Sequence, residues 1–411
     1  MIETKGIAIE RLSGGMKMVY VPMPGSGVEY AGVAVNAGSR NDPAGLEGMA
    51  HFVEHTIFKG TSRRRSLHII NRMEAVGGEL NAYTTKETTV VYSIFPTGNY
   101  GRAAELIADL VSDSQFPDSE LDKEREVVAE EISSYLDMPS EAVFDDFEDL
   151  LFAGSSLGHN ILGTEQALGR MNSRACRNWL AENYTAERMT AFYAGPLPLD
   201  RALKTAERYF GSHRKAIETE RIKEMIPAVE PFSITREIDN HQAHTVMGCR
   251  LPSMYSDDRY AIALLNNIIG GPGMNSQLNV ALRERRGLVY SVDSSASLLT
   301  DTGIFAVYFG CDPADNQRCI RLVNQTLGQL ADGGLTERQL QRAKRQYLGQ
   351  LAVAAEQTEN AVIGYARAAL YRGEIIPEET IRQRILDLTV EDILRVARMI
   401  EPARLSRLTL G

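Results

Sequence analysis

Hydrophobic and polar positions follow two different periods along this chain. Apolar stretches of strand length predict β-strands, and they lie at 17–22, 30–37, 88–96 and 190–194. Two longer segments, at 100–114 and 120–136, repeat their apolar residues at helical spacing. Because predicted strands and helices interleave along the chain, the pattern predicts a fold that mixes α and β structure.

This pattern is lost near the middle of the chain. The residues at 214–232 are charged, lack clear periodicity and include Pro227 and Pro231, which is typical of an interdomain linker. A chain of 411 residues also exceeds the roughly 250 to 300 residues that one hydrophobic core organises. The sequence therefore predicts an N-terminal domain at 1–213, a linker at 214–232 and a C-terminal domain at 233–411.

The two halves carry similar segments. The loop and long helix at 116–132 resemble those at 333–351, and a strand that precedes each helical region also matches. Both pairs lie 217 to 219 residues apart, which indicates an internal duplication. In this alignment Glu131 corresponds to Gln350, so we expect the halves to share a fold without sharing their chemistry.

Composition narrows the classes of partner. The chain has 44 Lys and Arg against 54 Asp and Glu, and its net charge of −10 repels a nucleic-acid backbone or an anionic membrane. No run of 18 consecutive apolar residues is present, and the N-terminus lacks the pattern of a signal peptide. The four cysteines are too few and too scattered for a disulfide framework. We therefore expect a cytoplasmic protein without nucleic-acid or membrane partners.

The motif HFVEH at 51–55 carries the most chemical information. Its apolar neighbours predict a helix, for which Asp42 and Pro43 match a start signal. At 100° per residue, His51, Glu54 and His55 project within one arc of about 100°. Two imidazoles one turn apart can bind one metal ion, and the carboxylate can reach a water on that metal. The motif therefore predicts a metal site with its general base, against the alternative of a chance polar cluster on a solvated helix face.

A catalytic zinc site takes three protein ligands and leaves its fourth position to water. The motif supplies two imidazoles, so a third donor has to come from elsewhere in the chain. The acidic helix EREVVAEEI at 124–132 is the best candidate region.

The inverted order His-x-x-Glu-His is the mark of the inverzincins. Its flanks, GLEGMAHFVEHTIFKGT and AVGGELNAYTTKETTVVY, resemble the insulinase/pitrilysin family, and within it the single two-domain chains that are similar to mitochondrial processing peptidase. In that family the third ligand is a Glu 76 residues after the second His, and Glu131 stands at this distance from His55. The resemblance implies that Glu131 binds zinc and that Glu124, two helical turns earlier, supports the site. Glu126 and Glu130 are weaker alternatives to Glu131.

The ligand set implied by this resemblance predicts a reaction. One zinc ion per chain, held by His51, His55 and Glu131, would make a bound water acidic enough for Glu54 to take its proton. Attack of that water on a peptide carbonyl, followed by proton delivery from Glu54 to the leaving amine, would hydrolyse an amide. The sequence therefore predicts a zinc-dependent endopeptidase.

Two further segments resemble substrate-binding parts of the family. The segment at 77–85 is similar to an exposed edge strand on which Asn81 and Ala82 make main-chain contacts with the substrate, although a plain hairpin would read the same way. The segment at 270–291 is similar to one that carries an Arg and, seven residues later, a Tyr; here these are Arg283 and Tyr290. The resemblance implies that they reach the substrate, against the alternative of a surface Arg and a half-buried Tyr.

For the whole chain, the resemblance implies an α+β fold of two homologous halves, each a mostly antiparallel sheet packed with helices, that enclose a chamber. It also implies a homodimer and substrates that are unfolded peptides. Two alternatives remain: a non-catalytic peptide-binding or scaffold subunit, and a metal-dependent lyase that acts on a small metabolite. The length and the second half argue against the lyase.

Other polar features are interpreted as structural. His241 and His244 lie in a strand-like segment where residues three apart face opposite sides, so a second metal site is not expected there. The acidic segment at 144–150 is interpreted as an exposed helix face, and His159 and His213 are assigned no role.

Overall fold

The computed structural model describes residues 6–215 and 224–411. Residues 216–223 of the predicted linker and residues 1–5 of the predicted N-terminal domain lie outside the described residues. The chain forms two compact units, the first comprising Met1–Ser134, His159–Glu224 and Ala354–Pro377, and the second comprising Tyr135–Gly158, Met225–Val353 and Glu378–Gly411. The units interleave along the chain, whereas the contiguous division around 214–232 stays a prediction.

The first unit contains a six-stranded sheet. Its strands are β1 Ala8–Arg11, β2 Lys17–Pro22, β3 Val28–Val35, β4 Glu79–Thr84, β5 Thr89–Pro96 and β6 Met189–Gly195. Its helices are α1 Met49–Thr56, α2 Ser66–Glu74, α3 Tyr100–Asp113, α4 Asp118–Leu136, α6 Glu165–Leu168, α7 Ser173–Asn183, α8 Leu199–Phe210 and α12 Thr358–Arg372. The four predicted strands and two predicted helices are confirmed, with ends that move by at most two residues.

Alternation along the strands gives this sheet two buried faces. The strand order is β1-β2-β6-β3-β5-β4, with β2 and β6 parallel and every other pair antiparallel. Met18 and Tyr20 of β2 belong to the large core that includes α1 and α3. Val19 and Val21, one residue out of phase, belong to a second core with Val362 of α12. Successive side chains of a strand point to opposite faces, so helices on both sides bury the whole strand.

The second unit contains a five-stranded sheet in the order β7-β11-β8-β10-β9, with β7 and β11 parallel and the other pairs antiparallel. Its strands are β7 Ser233–Arg236, β8 Ala243–Leu251, β9 Val289–Leu298, β10 Gly303–Cys311 and β11 Ser406–Leu410. Its helices are α5 Pro139–Leu151, α9 Arg259–Gly270, α10 Asn316–Ala331, α11 Glu337–Ala355, α13 Glu378–Asp387 and α14 Val390–Ala397. Both units therefore have the predicted α+β architecture of a mostly antiparallel sheet with helices.

The order of elements repeats between the two units. In each, a sheet strand leads into a helix and then into a 19-residue helix, namely β5-α3-α4 and β10-α10-α11. The two 19-residue helices begin 219 residues apart, and so do the helices that follow them, α5 and α12. Each of these two following helices packs in the unit opposite to the long helix that precedes it, since α5 belongs to the second unit and α12 to the first.

Two local expectations are wrong. Helix α1 begins at Met49 rather than directly after Asp42 and Pro43, because a turn and the residues up to Gly48 intervene. The acidic segment at 144–150 is not an exposed face, because it lies in α5, whose Phe147 is buried against the second sheet. The acidic side chains share this helix with an apolar stripe that the sequence interpretation underrated.

Within the described part of the chain, none of the helices combines the length and the apolar character that a membrane crossing requires.

Candidate metal centre

Helix α1 carries the motif, and its first turn is held from a distance. Gly48 caps the helix with a left-handed backbone at φ 95°, which glycine adopts without a steric penalty. The Asp42 carboxylate accepts hydrogen bonds from the backbone N–H groups of Gly48, at 2.7 Å, and Ala50, at 2.8 Å. A carboxylate at this position also complements the positive end of the helix dipole. Asp42 therefore caps α1 although it does not begin it.

Three side chains converge where α1 meets α4. Oε2 of Glu131 lies 3.8 Å from Nε2 of His51 and 3.5 Å from Nε2 of His55. One ligand atom from each of the three residues lies within 4.8 Å of the others, and the described residues form no second group of this kind. Tetrahedral zinc with ligands at roughly 2.0 to 2.1 Å separates neighbouring ligand atoms by about 3.3 Å. The observed distances are close to that spacing, so the three residues fit a zinc ion.

The structure also shows which acidic residue of α4 lies at the histidines. Glu131 does so, whereas Glu126 and Glu130 are exposed and do not join the group. The last turns of α4 therefore present to the histidines one of the three carboxylates that the sequence left open.

Burial keeps His51 ready to bind a cation. The ring is 7% exposed, and burial together with the nearby His55 lowers the pKa of His51 to about 3. The imidazole is therefore neutral at physiological pH, with a lone pair free for a metal ion. Among the described residues its Nδ1 has no hydrogen-bond partner, so packing alone orients this ring.

Glu54 lies beside the ligands and is not one of them. Burial raises the pKa of Glu54, the Glu131 carboxylate adds to this effect, and His55 together with a hydrogen bond from the Thr84 side chain opposes it. A carboxyl group with a raised pKa accepts a proton more readily and can return it near neutral pH. The environment therefore suits a general base and acid.

A cavity of about 570 Å³ opens beside these residues in the first unit. Its lining includes Glu54 and His55 on one side and Asn81 and Ala82 of β4 on another. Strand β4 lies at the edge of its sheet, where Asn81 pairs with Tyr92 and Ala82 with Val91 of β5. Its other edge is not paired with a described strand, so the backbone can receive an additional strand.

The remaining predicted residues lie in the second unit. Arg283 is in a π-helical turn at Asn279–Glu284, and Tyr290 is the second residue of β9. Both are exposed, and both line a cavity of about 660 Å³. Their predicted contact with the substrate stays a prediction.

The second unit lacks the ligand chemistry of the first. Gln350, which the duplication aligns with Glu131, accepts a hydrogen bond of 2.7 Å from the amide nitrogen of Asn267. A carboxamide is a weaker ligand for zinc than a carboxylate, because it carries no charge. The nearby pair His241 and His244 forms no site either: His241 precedes β8 and is exposed, and His244 is buried with Nδ1 2.9 Å from the Tyr308 hydroxyl oxygen.

The structure adds three residues that the sequence interpretation missed. Lys59 forms an ion pair with Glu124, Thr84 bonds Glu54, and His159 lies with Nε2 3.2 Å from a carboxylate oxygen of Asp42. Lys59 stands four residues after His55, and this helical spacing was a usable signal. His159 is separated from Asp42 by more than a hundred residues, so nothing local in the sequence indicates their contact.

Comparison with known proteins gives the same assignment along both halves. Residues 17–165 match the family model described as insulinase, peptidase family M16, and residues 171–347 match the model described as the peptidase M16 inactive domain. A relative from Bacillus subtilis, named an uncharacterized zinc protease, is 32% identical over 89% of this chain and 88% of its own length. Relatives of this similarity share the family of the chain.

Two solved structures share the fold. A protease from Helicobacter pylori superposes with a TM-score of 0.89 at 21% identity and covers 98% of this chain and 99% of its own. A Pseudomonas fluorescens structure, titled peptidase M16 inactive domain, superposes with a TM-score of 0.91 at 18% identity and covers 99% and 98%. Together with the family models and the Bacillus relative, these findings show that the chain belongs to the insulinase family of peptidases, family M16.

Proposed function

We propose that this chain is a zinc-dependent endopeptidase that hydrolyses unfolded peptides. The observation that carries the proposal is the convergence of His51, His55 and Glu131 beside the buried Glu54. Three protein donors with a non-ligand carboxylate next to them are the arrangement of catalytic zinc sites, whereas structural zinc sites use four protein donors.

The roles of the residues follow from their positions. A zinc ion held by His51, His55 and Glu131 would supply a Lewis acid that polarises a carbonyl and acidifies a water. Glu54 accepts a proton from the attacking water and returns it to the amine that leaves. Its raised pKa supports both steps, since the group must be able to hold the proton between them.

Strand β4 supports the choice of a peptide as substrate. An extended peptide that pairs with the free edge of β4 would lie along the cavity that also contains Glu54 and His55. Main-chain hydrogen bonds of this kind recognise an extended backbone and tolerate many side chains. The proposal therefore predicts that unfolded chains are cleaved and that folded proteins resist.

Several parts of the proposal rest on the family resemblance alone. These are the chamber that encloses the substrate, the homodimer, the stoichiometry of one zinc ion per chain, the substrate contacts of Arg283 and Tyr290, and a location in the cytoplasm. Metal analysis tests the stoichiometry, and light scattering of the purified protein tests the dimer.

The central test compares Glu54→Gln with the wild type at matched zinc content. Each protein is incubated with a mixed pool of unstructured peptides, and cleavage is read by mass spectrometry. Loss of the general base is expected to reduce hydrolysis by at least about a hundredfold while zinc stays bound. Glu126→Gln is the matched control, because it removes an exposed carboxylate of α4 outside the site and should leave hydrolysis unchanged.

The other outcomes discriminate between the alternatives. Hydrolysis by Glu54→Gln at the wild-type rate would overturn the assigned base. Wild-type protein that holds zinc and cleaves no peptide would instead indicate a peptide-binding or scaffold subunit. Turnover of a small metabolite that added peptides do not inhibit would indicate a lyase.

A further inference from the structure

The two imidazoles of the candidate metal centre are held in different ways. Nδ1 of His55 lies 3.0 Å from Oε1 of Glu124, whereas Nδ1 of His51 has no hydrogen-bond partner among the described residues. A carboxylate that accepts from one ring nitrogen places the proton there and leaves the other nitrogen free for a metal. Among the described contacts, electrostatic control of the imidazole pair therefore passes through Glu124.

Glu124 is in turn held by Lys59. The second carboxylate oxygen of Glu124 lies 2.6 Å from Nζ of Lys59. The Glu124 side chain is 9% exposed and that of Lys59 is 27% exposed, so the pair is partly removed from water. Lys59 follows the end of α1, where its backbone N–H donates to the carbonyl oxygen of Thr56 at 3.0 Å. The ion pair thus ties the end of the motif helix to α4.

A buried carboxylate with one free oxygen is costly, because its charge keeps neither water nor a partner. With Lys59 present, both oxygens of Glu124 are engaged and the carboxylate has one favoured orientation. Without the ammonium group, Glu124 could lower its energy by turning toward the open cavity or by taking up a proton. Either change would weaken the hydrogen bond that fixes the proton of His55.

We propose that Lys59 is a positioning residue of the metal centre: by holding Glu124 it fixes the tautomer and the orientation of His55. The inference rests on the proposed function only in assuming that His51, His55 and Glu131 bind a metal. It concerns metal affinity and makes no use of hydrolysis. Lys59 also lines the cavity beside Glu54, so direct contact with a substrate is the competing role that the experiment has to separate.

The test measures the zinc affinity of the full chain by competition with a chromogenic chelator. Lys59→Met should weaken zinc binding on the order of tenfold, since losses of partners that orient a metal ligand lie between about 10-fold and 100-fold. Lys59→Arg should restore most of the affinity, because the cavity leaves space for the longer side chain. Lys123→Met is the matched control: it removes the lysine adjacent to Glu124 in sequence, which pairs with Glu120 at the surface, and should leave zinc affinity unchanged.

A double-mutant cycle tests whether Lys59 acts through Glu124. The variant Lys59→Met combined with Glu124→Gln should bind zinc about as weakly as Glu124→Gln alone, because the lysine then has no carboxylate to position. Additive losses would overturn the proposed route. Circular dichroism and thermal melting of the metal-free proteins identify any variant that fails to fold, and Lys59→Gln then replaces Lys59→Met.

Unchanged zinc affinity in folded Lys59→Met would overturn the proposal, and a simultaneous fall in peptide hydrolysis would assign Lys59 to the substrate instead. This readout is independent of the peptidase assay. If the wild type cleaves no peptide, the proposed function fails while the ranking of zinc affinities still decides the role of Lys59.

Discussion

Burial determines what single residues of this chain can do chemically. His51 and Glu54 are separated by less than one helical turn, yet burial lowers the pKa of the imidazole and raises that of the carboxyl group. Both shifts favour the neutral form, because the low dielectric of the interior penalises charge. A neutral imidazole is a metal ligand, and a carboxyl group with a raised pKa is a proton carrier. The motif reveals the residue types, and their environment adjusts them for the reaction.

His213 allows this effect to be measured away from the metal centre. It is buried, and its Nε2 donates to the carbonyl oxygen of Tyr184 at 2.9 Å. Burial, with a contribution from Arg214, lowers the pKa of His213, while the bond to Tyr184 and the charge of Glu187 oppose the shift. Below about pH 6.5 the unfolded chain takes up a proton at this residue and the folded chain does not.

We therefore expect the free energy of unfolding to fall as the pH drops below 6.5, by at most about 1.4 kcal/mol per pH unit from this residue. His213→Gln should flatten that part of the profile, as measured by urea unfolding between pH 7 and pH 5. The control His241→Gln removes an exposed histidine and should leave the profile unchanged. Equal slopes for wild type and His213→Gln would contradict the prediction.

At the scale of elements, the position of α1 depends on contacts with a remote loop. A Cβ atom at Gly163 would lie 1.9 Å from the carbonyl oxygen of Glu47, and one at Gly48 would lie 2.5 Å from that of Leu162. The two backbone segments touch where only glycine fits. His159, in the same loop, contacts Asp42, which caps α1. The loop thus orients the helix that carries His51, Glu54 and His55.

Gly163→Ala tests this contact. Its backbone has φ 75°, which costs an L-residue about 1–2 kcal/mol, and the clash with Glu47 should add about 1–3 kcal/mol. Gly25→Ala is a matched control, since Gly25 has φ 79° and nothing within 4 Å of the added Cβ. Thermal melting should show a larger loss for Gly163→Ala, and zinc affinity should fall for this variant alone. Equal losses would show that the contact can relax.

At the scale of the whole molecule, the chain is a duplication whose halves have diverged in chemistry and exchanged a helix. Helix α5 follows the first long helix and packs in the second unit, while α12 follows the second long helix and packs in the first. Val362 of α12 lies in a core with β2, and Phe147 of α5 lies in a core with β8. Each sheet therefore requires a helix from the other repeat to bury its second face. Neither repeat is expected to fold alone as a contiguous segment.

Arg283 tests whether the second unit contributes to the reaction. Arg283→Ala should lower kcat/KM for peptide hydrolysis by at least about tenfold, because a donor to the substrate is lost, and should leave zinc content unchanged. Arg285→Ala is the control, since Arg285 is equally exposed, stands two residues away and does not line the cavity of Arg283 and Tyr290. Similar effects of the two changes would indicate that only the positive charge of this segment matters.

The sequence by itself determined the features that depend on local spacing. The two histidines and Glu54 fall on one helix face by arithmetic alone, and the resemblance selected Glu131 at its distance from His55. Strands and helices such as 17–22 and 100–114 were predictable because burial of one face leaves a period in the residues of that same segment.

The tertiary structure decided everything that depends on which remote segment supplies the partner. A periodic pattern reports that a face is buried but not against what, so the exchange of α5 and α12 left no local signal. For the same reason the contacts of Thr84 with Glu54, of His159 with Asp42 and of Lys59 with Glu124 became visible only in three dimensions. The pKa values of the site follow the same rule, because desolvation and charge act through space rather than along the chain.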